Sequence, residues 1–299
     1  MSLRVRAATV EDAQVIAEIH VESWRSAYRG LLSAEGLIAL SVEARAQKWR
    51  EWLASGGRTL LALERGRALA FCDAGRSRDA DAGPWTAEIR AIYAREEAWG
   101  KGAGHALWLA TLERLAADGA REATLWALQD NARARAFYER QGMRPDGGTM
   151  AVEIFGETRR EDRFRLQLPP EPFVRGLASA LDQGERARAA IFLDPDVLFN
   201  DPPCQGPEVA LDAVAGRAAV PPGALQEQIR ESAVQHLGGE RWRINVVERL
   251  RQGGHVAAYR HALVLTLPER RAITRIQALD LPGERQRLTA FLRRVGISG

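Results

Sequence analysis

The stretch of sequence that decides the fold reads Ala98-Trp99-Gly100-Lys101-Gly102-Ala103-Gly104-His105-Ala106-Leu107. It lies between a predicted strand at about 86–94 and a helix predicted from about Ala103 to Gly119. Glycines at alternate positions let the backbone adopt positive φ and let N–H groups converge on an anion without a Cβ in the way. The start of the helix adds unpaired N–H groups and the positive end of its dipole, which suit a pyrophosphate. The stretch therefore predicts a phosphate-binding turn, with a plain tight turn as the alternative.

Two other nucleotide-binding loops do not fit this stretch. A Walker A loop ends in Gly-Lys-Ser/Thr, and that ending is missing here. A dinucleotide-binding loop needs a βαβ unit with a ribose-binding acid after its first strand, and no such unit follows.

Helices and strands alternate on both sides of the loop within residues 1–168. Helices are predicted over about 9–25, 42–54, 103–119 and 131–141, and strands over about 58–64, 67–74, 86–94, 122–128, 149–155 and 160–167. This alternation predicts an α/β domain with a mixed central sheet and helices on both faces.

A change of organisation follows at Leu168-Pro169-Pro170-Glu171-Pro172. Closely spaced prolines cannot continue a strand or a helix interior, so residues 169–172 are predicted to be a stiff linker. Beyond it, the sequence predicts helices first and antiparallel strands afterwards, which is typical of a separate α+β domain over 173–299. The predicted helices cover about 172–183, 185–192, 207–215, 222–237 and 283–294, and the predicted strands lie near 242–246, 255–267 and 272–281.

Composition excludes several other classes of protein. The net charge is only +3, and the basic residues are interspersed with acids and form no basic block, which argues against nucleic-acid binding. Cys72 and Cys204 lie in different halves without a CxxC motif, so neither a disulfide scaffold nor a metal site is predicted. No run approaches ~18 apolar residues, so no membrane span is expected. The start of the chain lacks the apolar segment of a secretory signal, and a cytoplasmic protein is predicted.

Three motifs in order resemble those of the GNAT superfamily of N-acetyltransferases. Glu88 to Ala94 followed by Trp99 to Gly104 resembles the family's core strand and its Q/R-x-x-G-x-G/A motif. Residues 131–143 are similar to the signature N-x-x-A-x-x-F-Y-x-x-x-G-F, and residues 20–30 look like one bacterial branch of the family. Two positions depart from the pattern: Trp99 stands at the Gln/Arg position, and Met143 replaces Phe. Tryptophan lends no cation to a phosphate, so Lys101 or an arginine is expected to compensate.

The resemblance implies a site for acetyl-CoA as co-substrate. The strand ending in Ile92, Tyr93 and Ala94 would splay from the strand ending near Leu128, and pantetheine would pair with it like an added strand. A backbone N–H near Ile92 or Tyr93 would then polarise the thioester carbonyl. The implied cofactor-binding residues are Ile92, Tyr93, Ala94, Trp99, Gly100, Lys101, Gly102, Ala103, Gly104, His105, Asn131 and Ala134. Asn131 is also expected to cap the helix that follows it.

The resemblance further implies two catalytic side chains. Tyr138 matches the signature tyrosine, and a phenol with a pKa near ~10 can protonate a leaving thiolate at neutral pH. The alternative for Tyr138 is aromatic packing on the sheet. Glu88 is predicted to be the general base, with a pKa raised by partial burial. The alternative for Glu88 is a carboxylate paired with Arg90.

His20, Trp24 and Tyr28 belong to the segment that lines the acceptor pocket in this family, and aromatic core packing is the alternative for them. The resemblance therefore implies direct acetyl transfer to a primary amine of a small molecule or peptide. The alternative is a non-catalytic acyl-CoA-binding or ligand-sensing protein.

The second predicted domain carries no catalytic motif. Its order of helices, the segment Leu193–Pro202 and a meander is similar to the nuclear-transport-factor-type α+β cone. That resemblance implies binding of a small apolar ligand or assembly into a homodimer, and a degenerate second acetyltransferase lobe is the alternative.

Overall fold

A computed structural model describes residues 3–200, 203–215, 224–269 and 271–297. The chain divides into two compact units. One comprises Met1–Leu115 and Glu122–Leu168, and the other comprises Ala116–Arg121 and Pro169–Gly299. Residues 116–121 thus group with the second unit, although the sequence predicts them in the first domain.

The first unit is built on a seven-stranded sheet in the order β1-β2-β3-β4-β5-β7-β6. Its strands are β1 (Leu3–Ala7), β2 (Thr59–Glu64), β3 (Arg67–Arg76), β4 (Thr86–Ala94), β5 (Glu122–Leu128), β6 (Arg144–Ile154) and β7 (Glu157–Gln167). Its helices are α1 (Ala13–Ala27), α2 (Ala34–Ile38), α3 (Val42–Ala54), α4 (Ala103–Ala117) and α5 (Ala132–Arg140). The pair β4–β5 is parallel and the other neighbours are antiparallel, so the predicted mixed α/β sheet is confirmed.

The two parallel strands stay together for only a short distance. Pairing runs from Thr86 opposite Glu122 to Glu88 opposite Thr124 and stops there. A register shift at Arg90 bends β4 just beyond this point. Ile89 and residues 91–94 keep their pairing with β3, and this end of β4 has an unpaired edge toward β5. The expected splay of the two strand ends is present.

The core of the first unit lies between α1, α3 and the sheet. Ile16 and Ile19 repeat at helical spacing on α1, and both are fully buried with Phe71 of β3. The hairpin from β2 to β3 turns through Arg65 and Gly66, both at positive φ, which matches the twist of the flanking strands. This packing holds β3 and β4 in place beneath the first helix.

The second unit is built on a six-stranded sheet in the order β10-β11-β12-β13-β8-β9. Its strands are β8 (Leu193–Asn200), β9 (Pro203–Gln205), β10 (Glu227–Gly238), β11 (Arg241–Gln252), β12 (His255–Thr266) and β13 (Ile273–Asp280). Its helices are α6 (Pro170–Asp182), α7 (Arg186–Ile191), α8 (Pro207–Ala215) and α9 (Glu284–Arg294). The predicted α+β class for this half of the chain agrees with this arrangement.

Two predictions for the second half are wrong. Residues 169–172 are not an extended linker, because α6 begins at Pro170. Proline is tolerated in the first turn of a helix, since an N–H at that position would have no acceptor within the helix. Residues 227–237 of the helix predicted at 222–237 belong to the strand β10, and residues 222–223 lie outside the described ranges. Its glutamines, glutamates and alanine favour a helix. Antiparallel pairing with β11 overrides that preference.

Sequence reasoning also missed some elements. These are β1, α2, β8 and β9. Across the described ranges, no helix is both long and apolar enough to cross a membrane.

Burial predicts how a pair of isoleucines contributes to stability. Ile19 is fully buried, whereas the side chain of Ile38 is 75% exposed. Replacing Ile19 with alanine is expected to lower the free energy of unfolding by about 2–5 kcal/mol, because a cavity is left in the core. The matched change of Ile38 to alanine should cost no more than about 0.5 kcal/mol. Seven of the eight tryptophans lie within 1–168, so urea unfolding followed by tryptophan fluorescence reports on this unit, and equal losses would contradict the described core.

Candidate active site

Backbone conformation explains two of the three glycines in the loop between β4 and α4. Gly100 has φ of 71° and Gly102 has φ of 91°, a region that other residues rarely adopt. The first helical hydrogen bond runs from the N–H of Ala106 to the carbonyl of Gly102 over 2.9 Å. The N–H groups just before Ala106 have no helical acceptor, as at the start of any helix. The loop therefore has the features that a phosphate-binding turn requires.

A cavity of about 400 Å³ lies between the end of β4, this loop and α5. Most of the predicted cofactor-binding residues line it, together with Tyr138, whereas Lys101, Ala103 and Asn131 do not. The predicted residues at its wall are Ile92, Tyr93, Ala94, Trp99, Gly100, Gly102, Gly104, His105 and Ala134. Arg133 and Arg140 also line it, and none of its described lining residues is acidic. Its charged groups therefore suit an anionic ligand.

Trp99 has two roles in the wall of this cavity. Its indole N–H donates a hydrogen bond of 2.9 Å to the carbonyl oxygen of Ala94, which also accepts one of 2.9 Å from the Ser23 hydroxyl. The guanidinium carbon of Arg133 lies 3.2 Å from the centre of the Trp99 ring, in a stacked cation–π arrangement. Arg133 of α5 therefore places a cation beside Trp99 at the wall of the cavity. The sequence predicts a compensating arginine without identifying it.

Asn131 acts as the cap of α5, as expected. Its side-chain oxygen accepts a hydrogen bond of 3.1 Å from the N–H of Ala134. This contact fixes the start of the helix that carries Arg133 and Tyr138.

Tyr138 lines the cavity from α5 and packs on other aromatic rings. Its ring centre lies 6.2 Å from that of Trp108 and 6.0 Å from that of Phe164. Burial raises the pKa of Tyr138, so the phenol carries its proton at neutral pH. Both interpretations given to this residue, a packed ring and a proton donor, fit its position.

Glu88 does not have the properties expected of a general base. Burial alone would raise the pKa of Glu88, but hydrogen bonds and the charge of Arg78 outweigh burial, and the pKa is lowered. Two guanidinium nitrogens of Arg78 lie 2.5 and 2.9 Å from its carboxylate oxygens. The alternative pairing with Arg90 is also wrong, because Arg90 pairs with Asp73 at 2.8 Å.

His20 belongs to the aromatic core of the first unit. Its Nδ1 accepts a hydrogen bond of 3.2 Å from the indole N–H of Trp49, and its ring stacks on Tyr93 with centres 5.0 Å apart. Burial, with a contribution from the charge of Arg45, lowers the pKa of His20 to about 3, so the ring is neutral. The interpretation of His20 as a pocket residue is therefore corrected to core packing.

Trp24 and Tyr28 remain half-buried at the end of α1. Their ring centres are 5.1 Å apart, and the Tyr28 hydroxyl lies 3.4 Å from that of Tyr93. Both pack against an apolar cluster of Leu32, Leu37 and Leu128. These two side chains are thus available to border an acceptor, unlike His20.

Known proteins resemble this chain in its first half. Residues 16–143 match the model of the acetyltransferase (GNAT) family. The chain is 32% identical over 128 residues to the uncharacterized N-acetyltransferase YuaI of Bacillus subtilis. The aligned region covers 42% of this chain and 72% of that protein.

Two solved structures illustrate the structural similarity. One is the PaiA N-acetyltransferase of Thermoplasma acidophilum in complex with coenzyme A, at 20% identity and a TM-score of 0.45, covering 56% of this chain and 99% of that chain. Another is a GCN5-related N-acetyltransferase from Rhodopseudomonas palustris, at 26% identity and a TM-score of 0.46. That match covers 56% of this chain and 97% of the other chain. By its match to the family model and its identity to YuaI, the chain belongs to the GNAT family of acetyltransferases, and it is an acyltransferase.

Proposed function

We propose that the chain transfers the acetyl group of acetyl-CoA directly to a primary amine of a small molecule or a peptide. One observation carries the proposal: a single cavity is bounded by the unpaired edge of β4, by the positive-φ loop and by Tyr138. The edge of β4 supplies backbone groups for the extended pantetheine arm, the loop supplies N–H donors for the phosphates, and Tyr138 supplies a proton.

The donor end of the site combines backbone and side-chain groups. The N–H groups at the start of α4 bind the pyrophosphate, and Arg133, held on the Trp99 ring, adds a charge-assisted hydrogen bond. The unpaired edge of β4 pairs with the pantetheine arm beside Ala134, as an added strand would. Asn131 does not line the cavity, and its part in binding is to cap the helix that carries Arg133 and Ala134.

The reacting end needs three events. A backbone N–H near Ile92 or Tyr93 polarises the thioester carbonyl. The amine nitrogen attacks the carbonyl carbon, the C–S bond breaks, and Tyr138 donates its proton to the departing sulfur. The proton lost by the nitrogen then restores the phenol, so the products are an amide and a free thiol.

Removing the phenol hydroxyl tests the assignment of Tyr138. The Tyr138→Phe variant is expected to lower kcat by on the order of 10²-fold, the lower end for a general acid, with acetyl-CoA binding little changed. Release of free thiol against a panel of primary amines measures kcat, and calorimetric titration measures the Kd of acetyl-CoA. Tyr259→Phe, in the second unit, is the matched control and should retain wild-type turnover.

Each outcome of that experiment bears on the proposal. An unchanged kcat for Tyr138→Phe would remove the phenol from the mechanism. If the wild type binds acetyl-CoA saturably but releases no thiol with any amine, the proposed acetyl transfer is contradicted. That result would favour the non-catalytic acyl-CoA-binding alternative.

Arg133 should matter only for the phosphate end of the donor. Arg133→Ala is expected to weaken coenzyme A binding about 10-fold, because one charge-assisted hydrogen bond is worth roughly 1.5–3 kcal/mol. Binding of pantetheine, which lacks the phosphates, should not change. Arg50→Ala, an exposed arginine on α3, is the control, and an equal loss for both ligands would contradict the role.

For the second unit we propose an α+β cone of the nuclear-transport-factor type that binds a small apolar ligand or joins two chains as a homodimer. The strand order supports this, because the hairpin β8–β9 joins the meander β10–β13 through the parallel pair of β8 and β13. Light scattering on the full chain distinguishes the two proposed roles. A molecular mass twice that of one chain favours dimerisation, and the mass of a single chain favours ligand binding.

We propose a cytoplasmic location for the enzyme. Cys72 is buried, and both it and Cys204 are free thiols, which supports a reducing compartment.

A further inference from the structure

Glu161 of β7 is a carboxylate in an apolar setting. Its direct neighbours across the sheet are Leu128 of β5 and Met150 of β6. Residues directly opposite each other share one face of a sheet, so Glu161 lies on the same face as Leu128. That face carries the apolar cluster against which Trp24 and Tyr28 pack. A half-buried acid therefore lies directly beside two apolar residues of the neighbouring strands.

Other acids near this strand are paired with cations. Asp162 pairs with Arg135 at 2.5 Å, Glu122 pairs with Arg165, and the buried Glu88 pairs with Arg78 at 2.5 Å. Within the described ranges no residue donates a hydrogen bond to the Glu161 side chain or forms an ion pair with it. Burial accordingly raises the pKa of Glu161. An ionised carboxylate in such surroundings is costly unless a cation reaches it.

The cations on the same strand face are engaged elsewhere. Arg159 and Arg163 lie two residues to either side of Glu161 and so point to the same face. Arg159 pairs with Glu157 at 2.5 Å and with Asp130 at 3.8 Å. Arg163 has three acidic partners, Asp79, Asp81 and Asp146.

Three tyrosines connect Glu161 with the reacting end of the cavity. Burial is the main cause that raises the pKa of Tyr28, Tyr93 and Tyr138, and the negative charge of Glu161 adds to the rise in each. Tyr93 and Tyr138 line the cavity, and the Tyr28 hydroxyl is 3.4 Å from that of Tyr93. Glu161 is therefore within electrostatic range of the proton donor, while the described lining of the cavity itself holds no acid.

We propose that Glu161 binds the ammonium group of the acetyl acceptor and takes its proton, and that the acceptor is a small cationic amine on an apolar framework. The inference rests on the proposed acetyl transfer. The ammonium nitrogen gives one proton to the carboxylate, and its freed electron pair forms the C–N bond. The C–S electron pair leaves on sulfur, which Tyr138 protonates, and the second proton that the nitrogen loses restores the phenol. Trp24, Tyr28 and Leu128 provide the surface for the carbon framework. An acceptor with its own carboxylate beside the amine is disfavoured by repulsion from Glu161.

The experiment compares Glu161→Gln with wild type on 2-phenylethylamine, hexylamine and glycine, by release of free thiol. For the two apolar amines we expect kcat/KM to fall about 10²-fold in the variant, the lower end for a general base, with the Kd of acetyl-CoA unchanged. In wild type, kcat/KM should fall as pH drops through the pKa of Glu161, because a protonated carboxyl accepts no proton, and the variant should lose this acidic limb. Glu161→Asp should restore part of the rate.

Glu157→Gln is the matched control, since Glu157 lies on the same strand and face and is paired with Arg159. It should retain both rate and pH profile. An unchanged rate and acidic limb in Glu161→Gln would overturn the role of Glu161 while leaving acetyl transfer intact. Faster wild-type turnover of glycine than of the apolar amines would overturn the substrate class. Failure of the wild type to release thiol with any amine would overturn the proposed function and this inference together.

Discussion

The early separation of β4 from β5 is the constraint on which the active site depends. Three paired positions hold the strands together, and beyond Glu88 and Thr124 they diverge. An unpaired strand edge inside a protein is unfavourable, because its polar groups need partners. Here the exposed edge opens into a cavity that an extended ligand can fill. The core beneath α1 keeps β4 on β3 while its other edge stays open.

Arginine shapes the electrostatics of the first unit. Only two of its cations are lysines, Lys48 and Lys101, so ion pairs are made by forked guanidinium groups. Arg78 and Arg90 neutralise the buried acids Glu88 and Asp73. This distribution leaves Glu161 as the half-buried carboxylate with a raised pKa on β7. Among the described residues, the proposed base differs from the buried acids of the sheet in having no cation paired with it.

Much of the first unit could be predicted from the sequence, because its signals are local. The strand at 86–94 and the helix cap at Asn131 follow from residues adjacent in the chain. Gly100 and Gly102 adopt the positive φ that their spacing suggested. The strand β10 was missed because its residues favour a helix in isolation, and only pairing with β11 makes it a strand.

The roles of individual acids were harder to predict for a different reason. Glu88 and Glu161 are both glutamates on strands of the same sheet, and the difference between them is the presence of Arg78, ten residues before Glu88. The ion pair between Glu88 and Arg78 depends on how the loop before β4 folds back onto the strand. The spacing of apolar residues in the sequence does not predict this. The same holds for Arg133, whose stacking on Trp99 joins α5 to a loop more than thirty residues away.

The carbonyl oxygen of Ala94 has a consequence for the thermodynamics of binding. It accepts hydrogen bonds from Ser23 on α1 and from Trp99 in the glycine loop, so one backbone atom ties the helix, the strand end and the loop together. A glycine-rich loop would otherwise lose much conformational freedom when it closes on a ligand. Because this link already restricts the loop in the free protein, that entropy loss occurs during folding, and the enzyme meets its donor with a preorganised binding surface.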